Sequence, residues 1–194
     1  MYFLLSLAVR AGSVLILLIP TFLILHILFF HQIKRTAACF FLGLYFAGIY
    51  TVTGLPTIQF TTFEPKLYLI PIYGILFDIR NSILNVILFI PLGFLVPLFC
   101  GKFRSIRQVL LMGLACSLVI ELAQLFTYRL SDVNDLLTNT LGAWVGYSMA
   151  KPILAKKSPG SLLHGKDIGM SAAVAVILMY FLQPMVGSWL WRVL

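Results

Sequence analysis

The stretch ILNVILFIPLGFLVPLFC, residues Ile83–Cys100, decides the fold, because it contains no charged residue and only one side-chain amide, that of Asn85. A helix needs roughly 20 apolar residues to cross a bilayer core about 30 Å thick, and this stretch approaches that length. Pro91 and Pro97 lie within it, and a helix in lipid tolerates proline where neighbouring helices satisfy the freed backbone groups. The stretch therefore predicts a transmembrane helix.

Further apolar stretches of similar length lie on both sides of this one. Backbone polar groups must be satisfied inside lipid, so we interpret all of them as helices and not as strands. The sequence thus predicts an all-α fold, a polytopic integral membrane helix bundle in one domain over residues 1–194. The six predicted transmembrane helices are Gly12–Phe30, Ala37–Leu55, Ile83–Cys100, Val109–Phe126, Asp132–Ala150 and Ile168–Trp191.

The composition supports a membrane protein and argues against a soluble one. Of the 194 residues, 61% are hydrophobic and 10% are charged, whereas a soluble domain carries roughly 25% charged residues. The net charge of +8 comes from basic residues in short connectors, which act as topology signals, so we expect no nucleic-acid partner. The three cysteines match no metal-ligand spacing, and we expect no cofactor and no metal site.

The basic residues also predict an orientation. Nine of the fourteen Lys and Arg residues follow the first, third and fifth predicted helices. The positive-inside rule then places these connectors in the cytoplasm and both termini outside. In the longest outer connector, the short apolar run Leu67–Phe77 is interrupted by Pro71, which predicts an interfacial or re-entrant segment.

Polar side chains from three predicted helices fall at one depth, in the outer third of the bilayer. Ionisable residues within a membrane span are costly and usually face a bundle interior or a wet cavity. We therefore predict a polar pocket that opens to the outer leaflet. Its predicted binding residues are Asn85, Glu121, Gln124, Arg129, Asp132, Asp135 and Asn139.

Some of these residues also have a purely structural interpretation. Asp132 and Asp135 lie in the first turns of a helix, where carboxylates favour the macrodipole and Ser131 can act as the cap. Asn85 and Asn139 suit hydrogen bonds between helices. Gly142 and Gly146 form a G-x-x-x-G pattern that favours close helix packing and is also suited to a homodimer.

Three stretches around these residues resemble the VanZ-like family, which is named for a teicoplanin-resistance protein. They are NSILNVILFIPLGFLVP (81–97), SLVIELAQLF (117–126) and RLSDVNDLLTNTLGAWVGY (129–147), within a resemblance over roughly residues 66–150. The resemblance implies a multi-pass protein of the bacterial cell membrane with a family core at about 37–150 and additional helices at 12–30 and 168–191. Some members of that family are associated with low-level resistance to lipoglycopeptide antibiotics.

The pocket leads to a functional hypothesis with two alternatives. A membrane lipid or a lipid-linked envelope component is the expected partner, and the absence of a recognisable catalytic motif argues against an enzyme. The first alternative is an intramembrane enzyme that acts on lipid-linked cell-wall intermediates, with Glu121, Asp132 and Asp135 as a general base or as ligands of a divalent ion. The second is a small transporter that works as a dimer.

Overall fold

The computed structural model describes residues 2–70, 78–156 and 160–193. Apart from two short strands and the connecting turns and loops, the described chain is helical, and this confirms the predicted all-α fold. The helices are α1 (Tyr2–Leu25), α2 (Ile33–Val52), α3 (Ile79–Phe99), α4 (Ile106–Gln124), α5 (Val133–Lys156), α6 (Gly165–Ile177) and α7 (Gln183–Val193). A π-helical turn, His26–Phe30, extends α1, and a second one, Leu178–Leu182, joins α6 to α7.

Within residues 2–70, 78–156 and 160–193, five helical segments are long and apolar enough to cross a membrane. They are Ala8–Phe30, Ile33–Val52, Ile79–Phe99, Ile106–Gln124 and Gly165–Val193, and each overlaps one of the predicted transmembrane helices. The remaining predicted helix, Asp132–Ala150, forms as α5, whose 24 residues extend about 36 Å at the helical rise of 1.5 Å per residue. Because its first half contains polar residues, α5 is less apolar than those five segments.

The chain divides into two compact units, residues 1–61 with 165–194 and residues 62–164, which are described separately. In the first unit, α1 packs on α2 through the Phe22 ring, which lies 2.8 Å from the position that a Cβ on Gly43 would take. A bidentate ion pair joins α2 to α6, with Arg35 Nη2 2.6 Å from Asp167 Oδ1 and Nε 3.1 Å from Oδ2. The Asp167 side chain is 1% exposed and the Arg35 side chain is 19% exposed, so the carboxylate of this pair is buried and the guanidinium is only partly buried.

In the second unit, α3 and α5 run parallel in close contact. A Cβ on Gly142 would lie 2.3 Å from the Val86 carbonyl oxygen, and one on Gly146 would lie 2.1 Å from the Ile90 carbonyl oxygen. Only a residue without a side chain permits two helix backbones to approach this closely. The G-x-x-x-G pattern therefore packs against α3 of the same chain. A homodimer stays a prediction, but it would have to form through other residues.

Helix α4 runs antiparallel to α5 and completes a three-helix arrangement. Gly113 of α4 faces Ala143, whose Cβ lies 2.8 Å from the position of a Gly113 Cβ. Further along, Ser117 accepts a 2.9 Å hydrogen bond from Asn139 Nδ2. The start of α3, the end of α4 and the start of α5 consequently meet at one end of this unit.

The predicted interfacial segment is described only in part. Leu67–Tyr68 forms strand β1, which pairs in parallel with strand β2, Ser131–Asp132. Residues 71–77 lie outside the described residues. The β1–β2 pairing nevertheless fixes the backbone just before those residues against the start of α5.

Candidate functional site

A polar cavity of about 430 Å³ lies where the ends of α3, α4 and α5 meet. It contains carboxylate, amide, hydroxyl and guanidinium groups from all three helices and from the segments beside them. Its lining residues are Tyr68, Asp78, Asn81, Ser82, Gln124, Arg129, Leu130, Asp132, Asn134 and Asp135. Four of the seven predicted binding residues are among them, namely Gln124, Arg129, Asp132 and Asp135.

Glu121 does not line the cavity itself but connects two of the segments that do. The side chain is only 5% exposed. Its Oε2 atom accepts a 2.9 Å hydrogen bond from the Ser131 hydroxyl and a 2.8 Å hydrogen bond from the Asp132 backbone N–H. Glu121 therefore ties the last turn of α4 to the residues that open α5, and it acts as a positioning residue.

Asp132 begins α5 as its N-terminal cap. Its Oδ1 atom accepts hydrogen bonds from the Asn134 backbone N–H at 2.8 Å and from Asn134 Nδ2 at 2.7 Å. A side-chain oxygen bonded to the N–H two residues later is the usual geometry of a helix cap. The structural interpretation predicted Ser131 for this role, but the Ser131 hydroxyl donates to Glu121 instead.

Asp135 is the half-buried carboxylate at the centre of the site. Its charge interacts with the amide of Asn85 and the guanidinium of Arg129, and also with the carboxylates of Asp132 and Asp78. The lining thus holds three carboxylates and one guanidinium. Such a cavity favours ligands rich in hydrogen-bond donors, such as hydroxyl, amide or ammonium groups, because carboxylates only accept hydrogen bonds.

Asn139 lies deeper in the unit and does not line the cavity. It is 3% exposed, and its Nδ2 atom donates to the fully buried Ser117 hydroxyl at 2.9 Å. This hydrogen bond joins α4 to α5, as the interhelical interpretation predicts. The binding role of all seven residues stays a prediction.

The family model described as VanZ/LLP1 matches residues 24–155, which include α2 to α4, all but the last residue of α5, and every described residue of the cavity. The chain is a member of the VanZ/LLP1 family. The family match is longer than the predicted resemblance over residues 66–150. Comparisons with curated proteins and with solved structures gave no match.

Several cavity residues of this VanZ/LLP1 protein were not predicted from the sequence. Asp78 caps α3 by accepting a 3.0 Å hydrogen bond from the Asn81 backbone N–H, and Asn134 donates through Nδ2 to the Ile70 carbonyl oxygen at 3.1 Å. An Asp three residues before a polar helical position is a recognisable cap signal, so Asp78 could have been found. Among the described residues, no cluster of three His, Cys, Asp or Glu is arranged to hold a metal ion.

Replacing Glu121 by leucine is expected to destabilise this VanZ/LLP1 protein by about 1–3 kcal/mol, the cost of leaving buried donors without an acceptor. The Ser131 hydroxyl and the Asp132 N–H would both lose their partner, whereas Glu121→Gln keeps one acceptor oxygen and should cost less. Thermal unfolding of the purified protein in detergent measures the difference. An unchanged unfolding temperature for Glu121→Leu would show that the hydrogen bonds of Glu121 to Ser131 and Asp132 do not stabilise the fold.

Proposed function

We propose that this VanZ-like membrane protein binds the polar head of an envelope lipid or lipid-linked cell-wall precursor in the α3–α5 cavity. Such binding would alter susceptibility to lipoglycopeptide antibiotics of the teicoplanin type. The observation that carries the proposal is the cavity of about 430 Å³, built from charged and amide side chains at the ends of apolar helices. Ligand pockets of roughly 300–1,000 Å³ are typical of small-molecule sites.

The charges of the cavity support a head group of mixed character. Sugar hydroxyls, amides or an ammonium group would donate hydrogen bonds to Asp78 and Asp135, and a phosphate would lie against Arg129. The basic residues Lys102, Arg104 and Lys151 lie towards the opposite ends of α3, α4 and α5. By the positive-inside rule the cavity then opens to the outer leaflet of a bacterial plasma membrane, with both termini outside.

Asp135→Asn and Arg129→Gln are each expected to reduce the effect of the protein on teicoplanin susceptibility at least fourfold, which corresponds to about 0.8 kcal/mol of binding. Each removes one charge from the cavity and leaves a side-chain amide in its place. The measurement is the minimal inhibitory concentration in bacteria that express each variant at the same membrane level.

Glu64→Gln is the matched control, because Glu64 is an exposed carboxylate whose nearest cation is Lys66 at 3.7 Å. It should behave as the unmodified protein does. Binding of a purified lipid-linked precursor to the protein in nanodiscs gives a second readout, which Asp135→Asn should weaken. If Asp135→Asn and Arg129→Gln match Glu64→Gln in both assays, the cavity is not the binding site. Conversion of the precursor into a new product would instead favour the enzyme hypothesis.

A further inference from the structure

The first unit, residues 1–61 with 165–194, contains a second polar cavity, of about 350 Å³. Arg10 is the one charged residue in its described lining, which holds no carboxylate. Tyr50, Gln59, Gln183 and Ser188 add hydroxyl and amide groups. In the α3–α5 cavity three carboxylates outnumber one guanidinium. The described lining of the second cavity has a net positive charge, and it therefore favours an anion.

Backbone irregularities shape this second cavity. Gln183 directly follows the π-helical turn Leu178–Leu182, and the Ile58 N–H donates to the Tyr180 carbonyl oxygen of that turn at 3.0 Å. Irregular helical turns of this kind occur frequently at functional sites. The Thr57 hydroxyl oxygen, in the cavity lining, is buried without a hydrogen-bond partner among the described residues. It is available to a ligand.

An apolar groove of about 670 Å³ adjoins the cavity and lies between α1 and α2. Arg10 and Thr51 line both spaces, so the two are adjacent. From Arg10 and Thr51 the groove continues along the helices past Val14 and Gly48 to Leu44, and a Cβ on Gly48 would meet no atom within 4 Å. Since both helices are apolar enough to span the membrane, we expect this groove to face lipid acyl chains.

We propose that the first unit binds one anionic phospholipid, with its phosphate against Arg10 in the polar cavity and one acyl chain in the α1–α2 groove. Charge complementarity selects the head group, because Arg10 attracts net negative charge and the described lining offers no carboxylate to a choline ammonium group. A polar cavity that shares Arg10 and Thr51 with an adjacent apolar groove matches the head and chain of a single lipid. This site is separate from the α3–α5 cavity and does not depend on the function proposed for it.

The test is native mass spectrometry of the full chain in detergent with equimolar phosphatidylglycerol and phosphatidylcholine. The unmodified protein should retain phosphatidylglycerol with a preference of about tenfold, which one charge-assisted hydrogen bond can provide. Arg10→Gln should remove this preference. Arg80→Gln, which changes an exposed arginine outside both spaces, should keep it.

Gly48→Leu separates the role of the groove from that of the charge. The leucine side chain has room to enter the groove, so this variant should fold, as thermal unfolding would verify, and should retain less of both lipids. The proposal is overturned if Arg10→Gln and Arg80→Gln give the same preference, or if a folded Gly48→Leu retains as much lipid as the unmodified protein.

Discussion

Replacing Gly146 by alanine is expected to destroy the native packing of α3 on α5. The added Cβ would lie 2.1 Å from the Ile90 carbonyl oxygen and 2.8 Å from the Phe94 backbone nitrogen, and neither atom can move unless the whole helix moves. Overpacking typically costs 1–3 kcal/mol and sometimes more. Because the Cβ would meet two backbone atoms of α3, we expect this variant to lose about 3 kcal/mol or more. The measurement is thermal unfolding in detergent, with size-exclusion chromatography to detect loss of folded protein.

Gly169→Ala is the matched control for this variant. Gly169 lies within α6, and a Cβ there would meet no atom within 4 Å. Alanine in a helix is about 1 kcal/mol more favourable than glycine, so this variant should be as stable as the unmodified protein or more so. If Gly146→Ala were as stable as Gly169→Ala, the parallel contact of α3 with α5 would be wrong.

The second large effect is expected from Asp167→Ala, which leaves the Arg35 guanidinium without its bidentate partner. Removing one member of a buried ion pair typically costs 3–5 kcal/mol. Because the Arg35 side chain is 19% exposed and can reach some water, we expect a loss near the lower limit, about 3 kcal/mol. Unfolding of the purified protein by heat or denaturant measures this loss.

The double variant Arg35→Leu with Asp167→Leu should be more stable than Asp167→Ala alone. Two apolar side chains leave no buried charge, and such replacements are often neutral or stabilising. Glu64→Ala, which breaks the exposed pair with Lys66, should cost less than about 1 kcal/mol. A double variant no more stable than Asp167→Ala would mean that the lost stability does not come from an unpaired charge.

Much of the fold was predictable because lipid imposes simple rules. A long apolar stretch has to be helical, and the five segments that are apolar enough to cross a membrane overlap their predictions. The proximity of Gln124 to Asp135 also followed from the sequence, since they belong to successive antiparallel helices, and both line the same cavity. Their role in binding stays a prediction. The family was also predictable, since the resemblance to VanZ-like proteins rests on the sequence alone.

The rest depended on contacts that no periodic pattern encodes. Arg35 and Asp167 are 132 positions apart, and in the sequence Arg35 is one of several basic residues in a connector. The partners of Glu121 were equally hidden, because one of its hydrogen bonds comes from a backbone N–H. The sequence also did not predict that Gly142 and Gly146 pack against α3, because a G-x-x-x-G pattern does not specify its partner helix.

The close parallel contact of α3 with α5 has a consequence for biogenesis. Helix α5 is not among the described helices that are long and apolar enough to cross a membrane, because its first half carries polar side chains from Asn134 to Thr140. Its glycines, however, fit a helix that is synthesised earlier in the same chain. We therefore expect insertion of α5 to be coupled to its docking on α3, which would have to stay beside the translocon until the later helix emerges from the ribosome.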